Sequence, residues 1–303
     1  MRLLRVLALV VAFLLVFGIA ISLDNYVPST DQAPSYPDNS TSCPPTVETE
    51  FPSLKGKTIV NFGDSIFGNF KAPEDISSYL AELTGATTYN VGFGGCRMAK
   101  HSIEQYDSFS LYNLSHAITT GDWSLQDSTM ARTDWTPHNT YARNLERLKS
   151  IDFNKVDIIT ISYGTNDFTG KIPLSSADPY DAATFTGALR KSIETIQSAY
   201  PHIEIVLCTQ TYRFWMDEGN DFAYLYDSNT HEVKGQKLTD FVQATKDVAA
   251  EYDLLCIDNY YNSGICADNR AECFSQTDGT HPNAKGRQMI AEYMASVLLE
   301  KYK

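Results

Sequence analysis

From residue 57 onward, short continuous apolar runs alternate with longer stretches of helical periodicity, and this alternation constrains the fold more than any other feature of the sequence. The strand-like runs are TIVNFGDSIF at 58–67, broken by its Gly-Asp-Ser turn, TTYNVGFGG at 87–95, VDIITISYG at 156–164, IEIVLCTQTY at 203–212 and LLCIDNY at 254–260. Buried-type runs such as VDIITISYG, with little polar alternation, suit strands covered on both faces. Between them, Ile76, Tyr79, Leu80 and Leu83 recur at helical spacing, as do Phe185, Leu189, Ile193 and Ile196. A further helix carries Leu238, Phe241, Val242, Val248 and Tyr252. A last one comes after His281-Pro282, with Met289, Ile290, Tyr293, Met294, Val297 and Leu298 inward and Pro282 suited to its first turn. Residues 97–150 read as irregular and dotted with aromatics. Such alternation implies an α/β domain: a five-stranded parallel sheet covered on both faces through right-handed crossovers. No internal repeat is present, and residues 51–303 suffice for one core.

The first fifty residues read as a delivery segment. Arg2 and Arg5 precede an uncharged apolar run of 18 residues, Val6 to Leu23. That length exceeds the roughly 7–15 of an ordinary signal-peptide core and just reaches bilayer thickness. The cationic flank, with Asp24 after the run, orients the body outward. Residues 1–23 are therefore an N-terminal hydrophobic helix acting as a signal anchor or a cleavable signal, and either makes the body extracellular, membrane-anchored or secreted. Residues 24–50, rich in Pro, Ser, Thr and Asp, bury too little apolar surface to order themselves and read as a disordered tether. The folded body occupies 51–303.

Charge narrows the partners. The chain carries 24 Lys and Arg against 37 Asp and Glu, a net charge of −13, without a basic cluster. Nucleic-acid binding is excluded, because phosphate affinity depends on cations that release counterions. Six cysteines, at 43, 96, 208, 256, 266 and 273, lack any C-x-x-C pair, so structural zinc is not expected; neither is a metal or other cofactor. Cys266 and Cys273 bracket a short polar loop and are expected to pair in an oxidising compartment. The protein is expected to be a monomer.

In parallel sheets ligands bind beyond the carboxyl ends of the strands. There the sequence places Gly63-Asp64-Ser65, then Asn90-Val91-Gly92-Phe93-Gly94-Gly95, then Gly164-Thr165-Asn166-Asp167, and finally Asp278-Gly279-Thr280-His281-Pro282. Each block alone has a plain structural reading: a turn, a tight packing corner, a helix cap for Asn166 or Asp167, a surface histidine. Together they supply the groups that acyl transfer needs. A serine hydroxyl is a weak nucleophile until an imidazole takes its proton. A carboxylate fixes that imidazole's tautomer, and pre-aimed donors stabilise the oxyanion.

The order GDSIF, NVGFGG, GTND and DGTHP resembles the SGNH hydrolases, or GDSL esterase/lipase superfamily, across the body from about residue 55 to 303. The resemblance implies a flavodoxin-like three-layer α/β/α sandwich. It implies Ser65 as nucleophile, His281 as general base and Asp278 as its orienter, with an oxyanion hole of the Ser65 amide, the Gly95 amide and the Asn166 side chain. Ile66-Phe67 departs from the Leu-Ser that many members carry, which bears on subfamily rather than chemistry. A G-x-S-x-G elbow is absent, as are the Asp-x-His and Gly-Asn-His spacings of metallophosphoesterases.

An exported acidic hydrolase of this kind meets cell-surface polymers. The favoured reading is an esterase removing small acyl groups, acetyl foremost, from cell-wall or extracellular carbohydrate. Lipase or lysophospholipase activity, O-acyltransfer and a non-catalytic glycan-binding module stay open. Trp123, Trp135, Tyr212, Phe214 and Trp215 lie in segments expected to border the site; Tyr212, Phe214 and Trp215 are the substrate-binding candidates, with packing on the core as the plain alternative.

Overall fold

Five parallel strands pair in the order β2-β1-β3-β4-β5, where β1 is Thr58–Gly63, β2 Thr87–Asn90, β3 Ile158–Ser162, β4 Glu204–Cys208 and β5 Leu255–Ile257. The structure is a computed structural model and describes residues 53–302. The expected signal or anchor and the tether thus lie outside the described residues. Strand order reverses direction between β1 and β3, and such a switch point opens a crevice at the carboxyl edge of the sheet.

Six longer helices cover the sheet: α1 Ile76–Thr84, α2 Leu111–Thr120, α3 Tyr141–Ser150, α4 Phe185–Ala199, α5 Leu238–Glu251 and α6 Ala284–Lys301. Strand side chains alternate between two cores, as the pleat requires. Val60, Phe62, Ile159, Ile161, Ile205 and Leu207 join the core that holds Leu114, Leu145, Leu189 and Phe241 of α2–α5. Ile59, Ile158, Val206 and Ile257 face the opposite core, with Ile76 and Leu80 of α1 and Ile290, Met294 and Leu298 of α6. These are the three layers of an α/β/α sandwich. The polar groups at the sheet centre are satisfied: Thr160 Oγ1 donates to Asn61 Oδ1 (2.7 Å), and Asn61 Nδ2 donates to Ser77 Oγ (3.0 Å).

Several expectations need correction. Residues 97–150 are largely helical, containing α2 and α3 as well as Glu104–Asp107 and Ser124–Met130. α2 is delimited by Ser110, whose side chain accepts the Asn113 amide, and by left-handed Gly121 (φ 72°). β4 stops at Cys208. Beyond it the chain forms an antiparallel hairpin, Phe214–Asp217 with Ala223–Asp227. α6 starts later than its proline implied: Asn283 caps it by accepting the Gly286 amide (3.1 Å), and Pro282 ends a strand, Asp278–Pro282. Leu83 is 42% exposed because α1 turns Ile76, Ser77, Leu80 and Thr84 inward instead. The expected Cys266–Cys273 bridge is not formed: Cys273 buries its thiol against Met289 Sδ (3.6 Å), while Cys266 is exposed. Among the described residues no helix is long and apolar enough to cross a membrane.

Candidate active site

The chain after β1 turns directly into a one-turn helix, Ser65–Gly68. Asp64 caps it, its Oδ1 accepting the Ile66 amide at 3.0 Å. Ser65 is therefore the first helical residue, and its amide points out of the helix without an intrahelical acceptor. Close backbone approach holds this helix against the segment after β2. A Cβ on Gly68 would lie 2.3 Å from the Gly92 carbonyl oxygen, so only glycine fits. Asn90 Nδ2 donates to the Phe67 carbonyl (2.7 Å), which fixes the same junction.

At the far end of the chain, strand Asp278–Pro282 delivers a carboxylate and an imidazole to this serine. His281 Nε2 lies 2.8 Å from Ser65 Oγ, and His281 Nδ1 lies 2.7 Å from Asp278 Oδ2. Asp278 Oδ1 accepts the amides of Thr280 (2.8 Å) and His281 (3.0 Å), so the backbone of the loop orients the carboxylate. Burial alone raises the Asp278 carboxyl, but the hydrogen bonds from the His281 ring, the His281 amide and the Thr280 amide outweigh it and hold the group at about 2. Asp278 is thus an anion at neutral pH. The Nδ1 proton then belongs on the Asp278 side, leaving Nε2 as the acceptor that faces the serine hydroxyl.

Asn166 reaches the residue that follows Gly95. Asn166 Nδ2 donates to the Cys96 carbonyl (2.9 Å), which leaves its second amide proton for another acceptor. Asp167, expected as a helix cap, instead accepts the Met98 and Ala99 amides (3.0 and 3.1 Å), and Gly164 occupies the cap position. Burial drives the Asp167 carboxyl up to about 6, with the two amides and Arg97 opposing. Gly95 is left-handed (φ 79°), and a Cβ there would stand 2.9 Å from Tyr106 Cε1. Helix α3, unread in the sequence, braces the same segment: Tyr141 Oη donates to the Gly94 carbonyl (2.6 Å), and Asn144 Nδ2 donates to the Gly92 carbonyl (2.6 Å).

A buried arginine that sequence reasoning missed joins these blocks. Arg213 is 8% exposed, and its Nη1 donates to Thr165 Oγ1 (3.1 Å) and Thr169 Oγ1 (3.2 Å). Its Nη2 donates to Thr280 Oγ1 (2.6 Å), between Asp278 and His281. Its guanidinium also stacks 4.3 Å from the Trp215 ring centroid. Burial lowers Arg213 to about 10, with Asp64 and Asp278 opposing, so it remains a cation. Asp64 is buried too, and desolvation lifts it to about 6 against the Ile66 amide and His281.

The aromatic candidates divide. Tyr212 is 2% exposed and donates to Asp227 Oδ2 (3.0 Å); as a packed core residue it presents no face to a ligand, which corrects its assignment to substrate binding. Trp215 lies half-buried among Arg213, Tyr226 and His231. Phe214 packs edge-on to Phe274 and forms part of a cavity wall. Trp135 packs on Tyr106, the ring above Gly95, and so borders the site; Trp123 rests on the core.

A three-layer sandwich with a Ser–His–Asp chain at the carboxyl edge of its sheet defines a serine hydrolase scaffold. The GDSL-like Lipase/Acylhydrolase family model matches residues 61–289, and the chain belongs to that family, whose members hydrolyse ester bonds. No curated protein matches by sequence. One solved structure is 25% identical with a TM-score of 0.57, covering 83% of this chain and 100% of its own. A possible lipase from Chitinophaga pinensis is 19% identical (TM-score 0.52; 80% and 98% covered). A carbohydrate acetylesterase from Sinorhizobium meliloti is 14% identical (TM-score 0.51; 81% and 100% covered). The last two likenesses speak to the fold.

Proposed function

We propose that this serine hydrolase is exported and removes small acyl groups, acetyl foremost, from cell-wall or extracellular carbohydrate. The observation that carries the reading is the hydrogen-bonded series Ser65 Oγ, His281, Asp278, with contacts of 2.8 and 2.7 Å. Ser65 attacks the ester carbonyl while His281 Nε2 takes its proton; as the ester C–O bond breaks, His281 returns that proton to the departing sugar oxygen, which leaves as the free hydroxyl. Asp278 holds the ring and offsets the imidazolium charge. The oxyanion rests on the amides of Ser65 and Gly95 and on Asn166 Nδ2. Water, activated by the same histidine, releases the acyl group and regenerates Ser65.

Support for a hydrophilic substrate comes from a cavity of about 390 Å³ that begins four residues after Ser65, where the polar Asn69, Lys71, Glu74, His138 and Asn139 outnumber the apolar Phe70, Ala72 and Pro73. A fatty acyl chain would desolvate those charges without pairing them. The deciding experiment is a panel of p-nitrophenyl esters from acetyl to octanoyl: rates falling with chain length support the reading, and rates rising with it refute it. Export is checked by fractionating cells and sequencing the N-terminus of the recovered protein. Recovery in the cytoplasm would refute it.

A further inference from the structure

A second cavity, of about 550 Å³, opens between the Phe214–Asp227 hairpin and the turn at 275–277. It adjoins the reacting segment, since Thr277 in its wall immediately precedes Asp278. Phe214 forms the common partition: a Cβ on Gly279 would lie 2.4 Å from the Phe214 carbonyl oxygen. The lining mixes the rings of Phe214 and Phe222 with Asp221, Arg270, Gln276 and Thr277.

Two features of this lining point to a ligand. The Arg270 guanidinium lies 4.4 Å from the Tyr224 ring centroid and donates Nη1 to the Ala267 carbonyl (2.5 Å), but it has no carboxylate partner among the described residues. Stacking thus fixes the plane of a fork whose other donors stay open. The hairpin turn, closed by the Ala223 amide on the Asn220 carbonyl (3.0 Å), puts two consecutive non-glycine residues in the left-handed region, Asp221 (φ 50°) and Phe222 (φ 55°). Such turns favour Asn-Gly. Here the strained position carries a phenylalanine that is 36% exposed and lines the cavity. Strain kept at a ligand-facing residue is the pattern expected of a functional site.

We propose that this cavity is a subsite for a neutral pyranose ring of the ester-bearing saccharide. The apolar C–H faces of a pyranose pack on Phe222 and Phe214, while its hydroxyls bond to Arg270, Asp221 and Gln276. An acyl chain would leave Arg270 and Asp221 desolvated without partners. A polyanion would meet Asp221 and a body carrying 32 acidic against 22 basic residues over 51–303. The kinetic consequence rests on the esterase reading above, but binding does not.

The test uses the full-length protein. Unacetylated xylotetraose and cellotetraose are titrated into the Ser65→Ala variant by calorimetry, with and without Phe222→Gly or Arg270→Gln. At least one tetrasaccharide binds, and each added substitution weakens it at least tenfold. Phe222→Gly also raises the thermal midpoint, because glycine relieves the left-handed strain; a ring serving only to pack would lower the midpoint when removed. With Ser65 intact, the loss of kcat/KM on acetylated xylotetraose exceeds the loss on p-nitrophenyl acetate at least tenfold. Binding of neither tetrasaccharide, or binding unaltered by both substitutions, overturns the proposal. So does a loss confined to octanoyl esters, which would make the cavity an acyl site. Saccharide binding without ester turnover would refute the esterase reading and leave the subsite standing.

Discussion

Replacing Asn166 with alanine removes one amide group that does two separable things. In the folded protein, Nδ2 gives one proton to the Cys96 carbonyl at 2.9 Å. Loss of that bond costs about 1 kcal/mol of stability, or about 2–4 °C in thermal midpoint for a domain of this size. In the reaction as proposed, the second proton serves the oxyanion, and loss of one such donor raises the barrier by about 2.7–4 kcal/mol. The variant should therefore lose about 10²–10³ in kcat, with KM changed little, because the interaction matures only in the transition state. Asn166→Asp should lose more, since it sets a carboxylate against both the Cys96 carbonyl and the developing oxyanion. Initial rates on p-nitrophenyl acetate, with circular-dichroism melts of the same samples, check both parts. A small drop in midpoint with kcat unchanged would leave Asn166 a brace for Cys96 and refute its place in the oxyanion hole.

Other substitutions probe the supports of the site. Gly95→Ala should lower both the thermal midpoint and kcat, because the new Cβ meets Tyr106 Cε1 at 2.9 Å in a left-handed backbone; wild-type melting and rate would show that Tyr106 yields freely. Arg213→Met removes three hydrogen bonds to Thr165, Thr169 and Thr280, and should cut kcat/KM at least about tenfold by freeing the loop that carries His281, while Arg213→Lys falls between; equal activity in all three proteins would remove Arg213 from the account. Asp64 titrates at about 6 in the folded protein against 3.8 for the ordinary group, so its contribution to stability is full below about 3.8 and is lost as pH rises through about 6. Asp64→Asn should therefore gain stability relative to wild type between pH 4 and 7, read from urea midpoints; parallel curves would contradict the buried-charge cost.

Much of the architecture is legible from local pattern, and the exceptions share a physical cause. β1, β3 and β4 are buried on both faces, so Ile59, Val60, Phe62, Ile158, Ile159 and Ile161 stand in apolar runs broken only by the hydrogen-bonded Asn61 and Thr160. Ser65 and Asn166 are locatable because they directly follow β1 and β3 at the carboxyl edge of the sheet, whereas Asp278 and His281, on the short strand Asp278–Pro282 beyond β5, are locatable by their Asp-x-x-His spacing. α3 escapes notice although Tyr141, Leu145 and Leu148 keep helical spacing, since charged neighbours dilute the signal. The Phe214–Asp227 hairpin lacks the Asn-Gly that announces such turns, having Asp221-Phe222 in its place. Arg213 is invisible for another reason. Its partners lie 48, 44 and 67 residues away, and no local pattern encodes contacts at that separation. Tyr212 misleads because an aromatic just past a strand reads alike whether it faces a ligand or, as here, Asp227 in the core.

Covalent labelling with a fluorophosphonate, read by peptide mass spectrometry, addresses the nucleophile most directly. One adduct per chain is expected, on the peptide containing Ser65, absent from Ser65→Ala and formed far more slowly in His281→Ala. An undiminished esterase rate in Ser65→Ala, or an adduct on another residue, would contradict the assignment.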